Sequence, residues 1–179
     1  MTLAVNMKVD TKGVNVMIEA LERDVRAALR PAAQAGAEVI YRAVLKNVQS
    51  IGKVTGNLAG AIYQAYSADN SGPGQATYHV SWNAKKAPHG HLVEFGHIQR
   101  YAVHLGKDGK WYTLVRPSKR GQPKPSRRAS QAVKDAYYVP RKGGPKQVAA
   151  RPFMRPAYYK QDEAAAAVRK VLFALLGSA

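Results

Sequence analysis

The chain has 179 residues, of which 46% are hydrophobic, and it carries a formal net charge of +17. This length predicts one domain with room for one long insertion, and the apolar fraction is sufficient for a core. Cysteine is absent, which excludes disulfides and thiolate metal sites and is typical of a reducing cytoplasm. The first residues do not have the pattern of a secretory signal, and no apolar stretch is long enough to span a membrane. We therefore expect a soluble protein that is made inside a cell and has no membrane contact.

The N-terminal part of the chain is predicted to be helical. Residues 1–13 are expected to form an extended arm, followed by a single domain over residues 14–177. Apolar residues then recur at helical spacing and predict helices over about 14–29 and 31–49. Proline disfavours a helix interior, so we expect a bend at Pro31 or a nearly continuous helix across it.

The middle of the chain predicts two β-hairpins. Residues 61–68 and 76–83 read as strands joined by a loop that contains Asn-Ser-Gly-Pro-Gly. Alternating residues over 101–105 and 111–115 flank a Gly-Lys-Asp-Gly turn and predict a second hairpin. Between the hairpins, residues 88–96 are long enough for one or two helical turns that stop at the final glycine.

The C-terminal segment predicts a long helix. Pro156 suits a first helical position, Gly177 suits the position just past the end, and apolar residues form one stripe between them. The expected fold class is therefore α+β. It would have N-terminal helices, a small and mostly antiparallel sheet from the two hairpins, and a long C-terminal helix.

A basic segment that is rich in proline and glycine lies within the domain. Residues 116–149 hold five prolines, three glycines and ten Lys or Arg residues, a composition that cannot form a core alone. We interpret this segment as an insertion, with a short helix at about 126–138 capped by Ser126. Its charge predicts a mobile arm that is either solvated or docks on an anionic partner, such as nucleic acid or an acidic protein surface. The residues expected to contact that partner are Arg116, Lys119, Arg120, Lys124, Arg127, Arg128, Arg141, Lys142 and Lys146.

Three short motifs each combine a glycine or proline with an apolar residue. They are Thr55-Gly56-Asn57-Leu58, Leu92-Val93-Glu94-Phe95-Gly96 and Ala150-Arg151-Pro152-Phe153-Met154-Arg155-Pro156-Ala157. Such combinations are typical of loops held at fixed angles, because glycine and proline restrict or release the backbone in defined ways. Thr55 is a candidate helix N-cap.

Individual motif residues carry specific structural expectations. Gly56 and Gly96 are expected to adopt backbone angles that a side chain disfavours. Phe95 and Phe153 are expected to pack their turns onto the helices, and Glu94 to hold Arg155 or a backbone amide.

No motif supplies a catalytic centre. The sequence has no cysteine nucleophile, no Gly-x-Ser-x-Gly and no phosphate-binding loop, so we expect no enzyme, no catalytic residue and no cofactor. His89, His91, Glu94 and His97 form a dense cluster of metal-ligand types, but their spacing matches no zinc signature and we expect no metal. A metal-dependent hydrolase using this cluster remains an alternative.

The motifs in this order resemble the tail-completion, or head–tail joining, family of long-tailed bacteriophages, akin to the minor tail protein Z group. The resemblance covers about residues 14–177 and departs from the family at Ala59 and His97, where Arg or Lys and Thr are usual. The basic segment has no counterpart. The matching residues are Thr55, Gly56, Leu58, Val93, Glu94, Phe95, Gly96, Pro152, Phe153, Met154, Arg155, Pro156 and Ala157.

The resemblance implies a structural, non-enzymatic virion protein of the neck or tail, assembled in the host cytoplasm. Such a protein completes the tail and joins it to the head as part of a ring. The ring is expected to be hexameric because the tail has six-fold symmetry. Implied partners are further copies of the chain and other neck or tail proteins, such as tail terminator, head-closure or tail-tube subunits. The alternative is a basic accessory protein that binds nucleic acid through phosphates, with non-specific DNA contact.

Overall fold

The structure is a computed structural model that describes residues 12–52 and 56–177. Its α-helices are α1 (Lys12–Ser50), α2 (Gly90–Phe95), α3 (Gln131–Tyr137) and α4 (Gln161–Leu176). Its strands are β1 (Ile62–Tyr66), β2 (Tyr78–Trp82), β3 (His97–Gln99), β4 (Val103–Leu105), β5 (Trp111–Thr113) and β6 (Lys146–Val148). The predicted α+β class is confirmed. The expected N-terminal arm lies outside the described residues except for Lys12 and Gly13, which already belong to α1.

The N-terminal helical region is one helix rather than two. α1 continues through Pro31, so the nearly continuous alternative is the correct one. Proline lacks the N–H that would bond to the carbonyl of Ala27, one helical turn earlier. Both residues are exposed, so water can reach that carbonyl. The helix ends before Gly52, whose N–H donates to the carbonyl of Gln49 at 3.3 Å.

Both predicted hairpins are present, but each is a separate two-stranded sheet. In the first, β1 pairs antiparallel with β2, from Ile62 opposite Trp82 to Tyr66 opposite Tyr78. In the second, β4 pairs with β5. The strands of the second hairpin have only three residues each, at the short end of the usual range.

A third strand pair was not predicted. β3 pairs antiparallel with β6, and His97 lies opposite Val148. The two strands are about fifty residues apart in the sequence, and β6 consists of Lys-Gln-Val at the edge of the basic segment. Because three residues carry almost no periodicity, only the pairing itself identifies β6 as a strand.

The C-terminal helix lies along α1 in the opposite direction. The Asn47 side chain donates to the carbonyl of Phe153 at 2.9 Å, and Gly36 meets Val168 farther along both segments. Successive C-terminal residues therefore contact successively earlier residues of α1. The start of the helix differs from the prediction, because Arg155–Lys160 forms a 3-10 helix before α4 begins.

The core lies where α1, the first hairpin and the C-terminal segment meet. Its buried residues are Val44, Val48, Ile62, Phe153 and Ala157. Half-buried side chains of β2 and the motifs surround it, among them Leu58, Val80, Trp82, Val93 and Met154. Among the helices of the described residues, none combines the length and hydropathy needed to cross a membrane.

The close approach of α1 and α4 predicts an effect of enlarging Gly36. A Cβ placed there would lie 2.6 Å from Val168 Cγ2 and 3.3 Å from the Ala164 carbonyl oxygen. Gly36→Leu should therefore separate the helices and lower the free energy of unfolding by about 1–3 kcal/mol, the usual range for overpacking. Chemical denaturation followed by circular dichroism measures this change.

The matched control is Gly13→Leu in the same helix, where nothing lies within 4 Å of the added Cβ. This variant should be as stable as the wild type or slightly more so, since glycine is a poor helix former. Equal stability of the two variants would contradict the close helix contact.

Candidate functional site: a buried carboxylate that joins two motifs

The Glu94 carboxylate connects the second and third motifs. Its Oε2 accepts the backbone N–H of Phe153 at 2.7 Å and of Met154 at 2.9 Å. Its Oε1 accepts from the backbone N–H and from Nε of Arg155, both at 3.1 Å. The residue is only 2% exposed. Both expected partners of Glu94, Arg155 and a backbone amide, are therefore confirmed.

The hydrogen bonds set the protonation state of this carboxylate. Burial by itself raises the pKa of Glu94, because it disfavours the charged form. The bonds from Met154, Phe153 and Arg155 favour the charged form and outweigh burial, so the pKa lies below its usual value of 4.5. Glu94 is thus an ionised carboxylate whose oxygens accept hydrogen bonds that hold two chain segments together.

Backbone contacts reinforce the junction between the two motifs. The Arg155 side chain also donates to the Glu94 carbonyl at 2.7 Å, and the Arg151 N–H donates to the Val93 carbonyl at 2.8 Å. Gly96 has φ 72° and lies against the chain, since an added Cβ would be 2.7 Å from the Val148 carbonyl oxygen. The expectation for Gly96 is confirmed, and only glycine fits this position without displacing β6.

The two motif phenylalanines have opposite environments. Phe153 is fully buried, and its ring meets the Trp82 ring edge-on at a centroid distance of 5.6 Å. The prediction that Phe95 packs its turn onto the helices is wrong, because Phe95 is 65% exposed. Its ring lies instead beside the Arg155 guanidinium, at 5.2 Å. Consecutive helical side chains point about 100° apart, so burying Glu94 turns Phe95 outward.

The first motif borders the same core. Gly56 has φ 76°, which confirms its expected backbone conformation, and its carbonyl accepts the Gly60 N–H at 3.2 Å. Leu58 is half-buried against the core cluster. The prediction that Thr55 is an N-cap lies outside the described residues. Pro152 and Pro156 are half-buried on either side of Phe153 and fix the chain as it enters the 3-10 helix.

Backbone hydrogen bonds attach the basic segment to the second hairpin: the Ala102 N–H donates to the Val139 carbonyl, and the Val139 N–H donates to the Leu114 carbonyl, both at 3.0 Å. The Arg116 side chain donates to the carbonyls of Asp135 and Tyr138, both at 3.1 Å. Tyr137 is buried, and its hydroxyl donates to the Gln122 carbonyl at 2.9 Å. The expected mobile arm is thus wrong for these residues.

The helix within the basic segment is shorter than predicted. α3 begins after Ser130, whose hydroxyl accepts the Val133 N–H, so Ser126 is not its cap. Ser126 accepts instead from the Arg128 N–H in the preceding turn. α3 contacts the hairpin through Asp135, which accepts from the Tyr101 hydroxyl at 2.7 Å. The Tyr101 hydroxyl and a bond from Gln131 hold the pKa of Asp135 below its usual value.

None of the predicted partner-binding residues bonds to the Glu94 carboxylate. Most of them are exposed, while three are half-buried (Arg116, Lys119 and Arg141). Over residues 97–151 the chain has 14 Lys or Arg residues and only two acidic residues. The chain thus has a structural site around Glu94 and a basic segment whose charged side chains are mostly exposed. The exposed members are Arg120, Lys124, Arg127, Arg128, Lys142 and Lys146.

The histidine cluster does not gather around Glu94. Within the described residues, no group of three or more His, Cys, Asp or Glu side chains could hold a metal ion. The Glu94 oxygens face the amides of residues 153–155. His97 is half-buried, and its Nδ1 is buried with no hydrogen-bond partner.

Sequence reasoning missed two structurally important residues, Asn47 and Gly90. Asn47 on α1 holds the Phe153 carbonyl. Gly90 lies against the Trp82 indole, where an added Cβ would be 2.4 Å from Nε1. The Asn47 contact joins segments 106 residues apart, so neither spacing nor residue type could indicate it. The glycine of the Pro-His-Gly-His stretch was the one hint of a close approach.

One comparison links part of the chain to known proteins. Residues 17–96 match the family model described as "Bacteriophage HK97-gp10, putative tail-component". The match includes the first two motifs and ends at Gly96. No curated protein and no solved structure gave a significant match. The family match confirms the resemblance to phage tail proteins over these residues and supports a structural role in a phage.

Replacing the Glu94 carboxylate predicts a loss of stability that depends on pH. Glu94→Gln keeps the size of the side chain but removes the charge, and should lower the free energy of unfolding by about 2–3 kcal/mol at neutral pH. A carboxyl with a lowered folded-state pKa stabilises the fold above its unfolded value and loses this effect as pH falls through the folded value. The difference from wild type should therefore shrink as pH falls below about 4.5.

Urea denaturation at several pH values measures this difference. Glu163→Gln is the control, because Glu163 is exposed and pairs only at the surface with Lys160. It should change stability by less than about 1 kcal/mol at any pH. A Glu94→Gln penalty that stays constant from neutral pH into acid would refute a charged Glu94.

The two phenylalanines predict opposite results for the same truncation. Phe153→Ala should destabilise the fold by about 3–5 kcal/mol, because it opens a cavity at a fully buried position. Phe95→Ala should cost about 1 kcal/mol or less, since it loses only the exposed contact with Arg155. Thermal unfolding of both variants provides the comparison, and a larger loss for Phe95→Ala would overturn the assignment.

Proposed function

We propose that this chain is a structural subunit of a phage neck or tail that completes the tail and joins it to the head as part of a ring. The observation that carries the proposal is the match of residues 17–96 to a family described as a phage tail component. The expected ring is hexameric, and its neighbours would be tail terminator, head-closure or tail-tube subunits.

The Glu94 junction supports a role as a scaffold. A buried carboxylate with four hydrogen bonds fixes two motifs relative to each other, and breaking such a site is costly. An assembly subunit needs this rigidity, because identical copies close a ring only when their contact angles are constant.

We propose that the chain catalyses no reaction. Glu94 is the buried carboxylate of the described residues, and its oxygens are occupied by amides and Arg155. A general acid or base must reach a substrate proton, which this arrangement opposes.

Exposed aromatic side chains beside the third motif support contacts with neighbours in the particle. Tyr158 and Tyr159 of the 3-10 helix are exposed, as is Phe95 nearby in the motif junction. Tyrosine and phenylalanine are enriched in interface cores, where their large surfaces bury well. Tail or neck subunits are the partners that this surface would contact.

The basic surface supports a second candidate, an accessory role in binding nucleic acid. Four exposed residues lie close together in the sequence of the basic segment: Arg120, Lys124, Arg127 and Arg128. Such a surface would track phosphates and release counterions, so retention of DNA would fall steeply with salt. In the neck proposal the same surface faces DNA in the channel or an acidic neighbour.

Genetic complementation tests the neck proposal. In a phage that encodes this chain, removal of the gene should leave heads and tails separate in electron micrographs, and the wild-type chain should restore joined particles. The purified particles should contain the chain. Normal joined particles without the chain would end the proposal.

A second complementation separates the two candidates. Replacing Arg120, Lys124, Arg127 and Arg128 with serine should abolish DNA retention at low salt if phosphate binding is the function, while joining continues. The matched control replaces four exposed basic residues elsewhere (Lys85, Lys86, Arg169 and Lys170). Loss of joining in the first variant alone, with its fold intact, favours docking through the basic surface.

A further inference from the structure

Strand β2 has one free edge. The Asn83 N–H, just after β2, donates to the Ala61 carbonyl at 2.8 Å. Bonding directions alternate along an antiparallel ladder, so the odd-numbered residues of β2 bond to β1. The backbone N–H and C=O groups of Tyr78 and Val80 consequently point to the opposite side. Among the described residues, no strand pairs with that side of β2.

An apolar groove lies along this free edge. It encloses about 460 Å³ between α4 and β2, and Tyr78 and Val80 line it. In the part of the chain that the structure describes, no β1 residue lines the groove, so it lies on the side of β2 that faces away from β1. Its floor is formed by α1 residues with mostly small side chains: Ala33, Gly36, Ala37 and Ile40. A strand added at this edge would place alternate side chains in the groove.

Residues 3–9 have the sequence pattern of a strand with one apolar face. Apolar residues stand at every second position: Leu3, Val5, Met7 and Val9. The residues between them are small or polar: Ala4, Asn6 and Lys8. Such alternation is typical of a half-buried strand. Extended segments of this kind bind free strand edges through backbone hydrogen bonds, with alternate side chains in a neighbouring groove.

The segment of residues 3–9 is too far from the groove of its own copy to lie along it. α1 begins at Lys12, and about 30 Å of helix separates this start from Ala33, the first α1 residue in the groove. Val9 precedes Lys12 by three residues and stays within about 11 Å of it even when the chain is fully extended. The groove within reach of the whole segment is therefore that of a neighbouring copy.

We propose that residues 3–9 of one copy add as a strand to the free edge of β2 in a second copy. The added strand bonds to the outward backbone groups of Tyr78 and Val80, and its apolar side chains fill the groove. The donating and receiving surfaces differ, so each copy gives one strand and accepts one, and successive copies repeat the same contact, as a ring requires. This inference rests on the proposed ring assembly and names its interface.

A pair of variants in the donated strand tests the apolar face. Sedimentation of the full wild-type chain over a range of concentrations should reveal self-association. Val5→Asp with Met7→Asp places two charges in the groove and should weaken association by about thirtyfold or more. The matched control, Ala4→Asp with Asn6→Asp, adds the same charge on the opposite face and should associate nearly as the wild type does. Equal weakening by both variants would contradict the strand.

A bulky residue in the groove tests the receiving surface. Ala165 is exposed and lines the groove, whereas its exposed neighbour Ala166 does not line it. Ala165→Trp should weaken association as strongly as the strand variant, and Ala166→Trp should have little effect. Circular dichroism and thermal unfolding verify that each variant folds. An equimolar mixture of Ala165→Trp with the strand variant should form dimers of one copy of each and nothing larger, because each keeps one intact surface.

Disulfide cross-linking tests the contact directly. The wild-type chain has no cysteine, so single-cysteine variants report contacts between copies. His79 is exposed on the face of β2 opposite the groove. Paired strands bring neighbouring side chains within disulfide distance, so a mixture under mild oxidation should join His79→Cys to one of three variants: Ala4→Cys, Asn6→Cys or Lys8→Cys. Val5→Cys is the control, because its side chain lies in the groove and should not form this disulfide.

Three results would overturn the inference. They are a wild-type chain that stays monomeric up to its solubility limit, self-association that the strand and groove variants both leave unchanged, and absence of the disulfide for all three cysteine positions. The complementation result for the neck proposal would stand in each case, because complementation measures joining of heads to tails and not this contact.

Discussion

The contact between the Glu94 carboxylate and the amides of residues 153–155 is the constraint on which the core depends. It joins segments about sixty residues apart and places Phe153 between α1 and the first hairpin. A buried charge is tolerated only when its hydrogen-bonding capacity is used, and here amides and Arg155 use it. The C-terminal segment consequently leaves the junction at a fixed angle and runs back along α1.

Local sequence signals predicted most of the helices and strands. They did not predict the pairings between distant segments. Periodicity and turn residues gave α1, both hairpins and α4, because these features repeat within a few residues. The β3–β6 pair and the contact of Asn47 with Phe153 depend on chain segments that meet only in the folded state. The residues of the Glu94 junction could be identified from the sequence, because glutamate, glycine and proline have distinctive roles in such turns. The exact partner of Glu94 could not be predicted.

The two phenylalanines illustrate the same limit. Each stands in a motif beside glycine or proline, and residue type alone gives both the same expectation. A helix of six residues is too short to reveal which side faces the core. Only the inward position of Glu94 decides that Phe95 faces solvent, while Phe153 follows a proline in a buried turn.

The antiparallel pairing of β3 with β6 has a consequence for how this chain could vary. Residues 100–145 connect β3 to β6. Because these two strands pair, the two ends of the connecting segment lie about one strand spacing apart. For a flexible loop with fixed ends, doubling the length costs only ~0.6 kcal/mol in closure entropy. Natural variants could therefore lengthen, shorten or recharge this module to suit different neighbours, while the Glu94 junction and the α1–α4 packing stay the same.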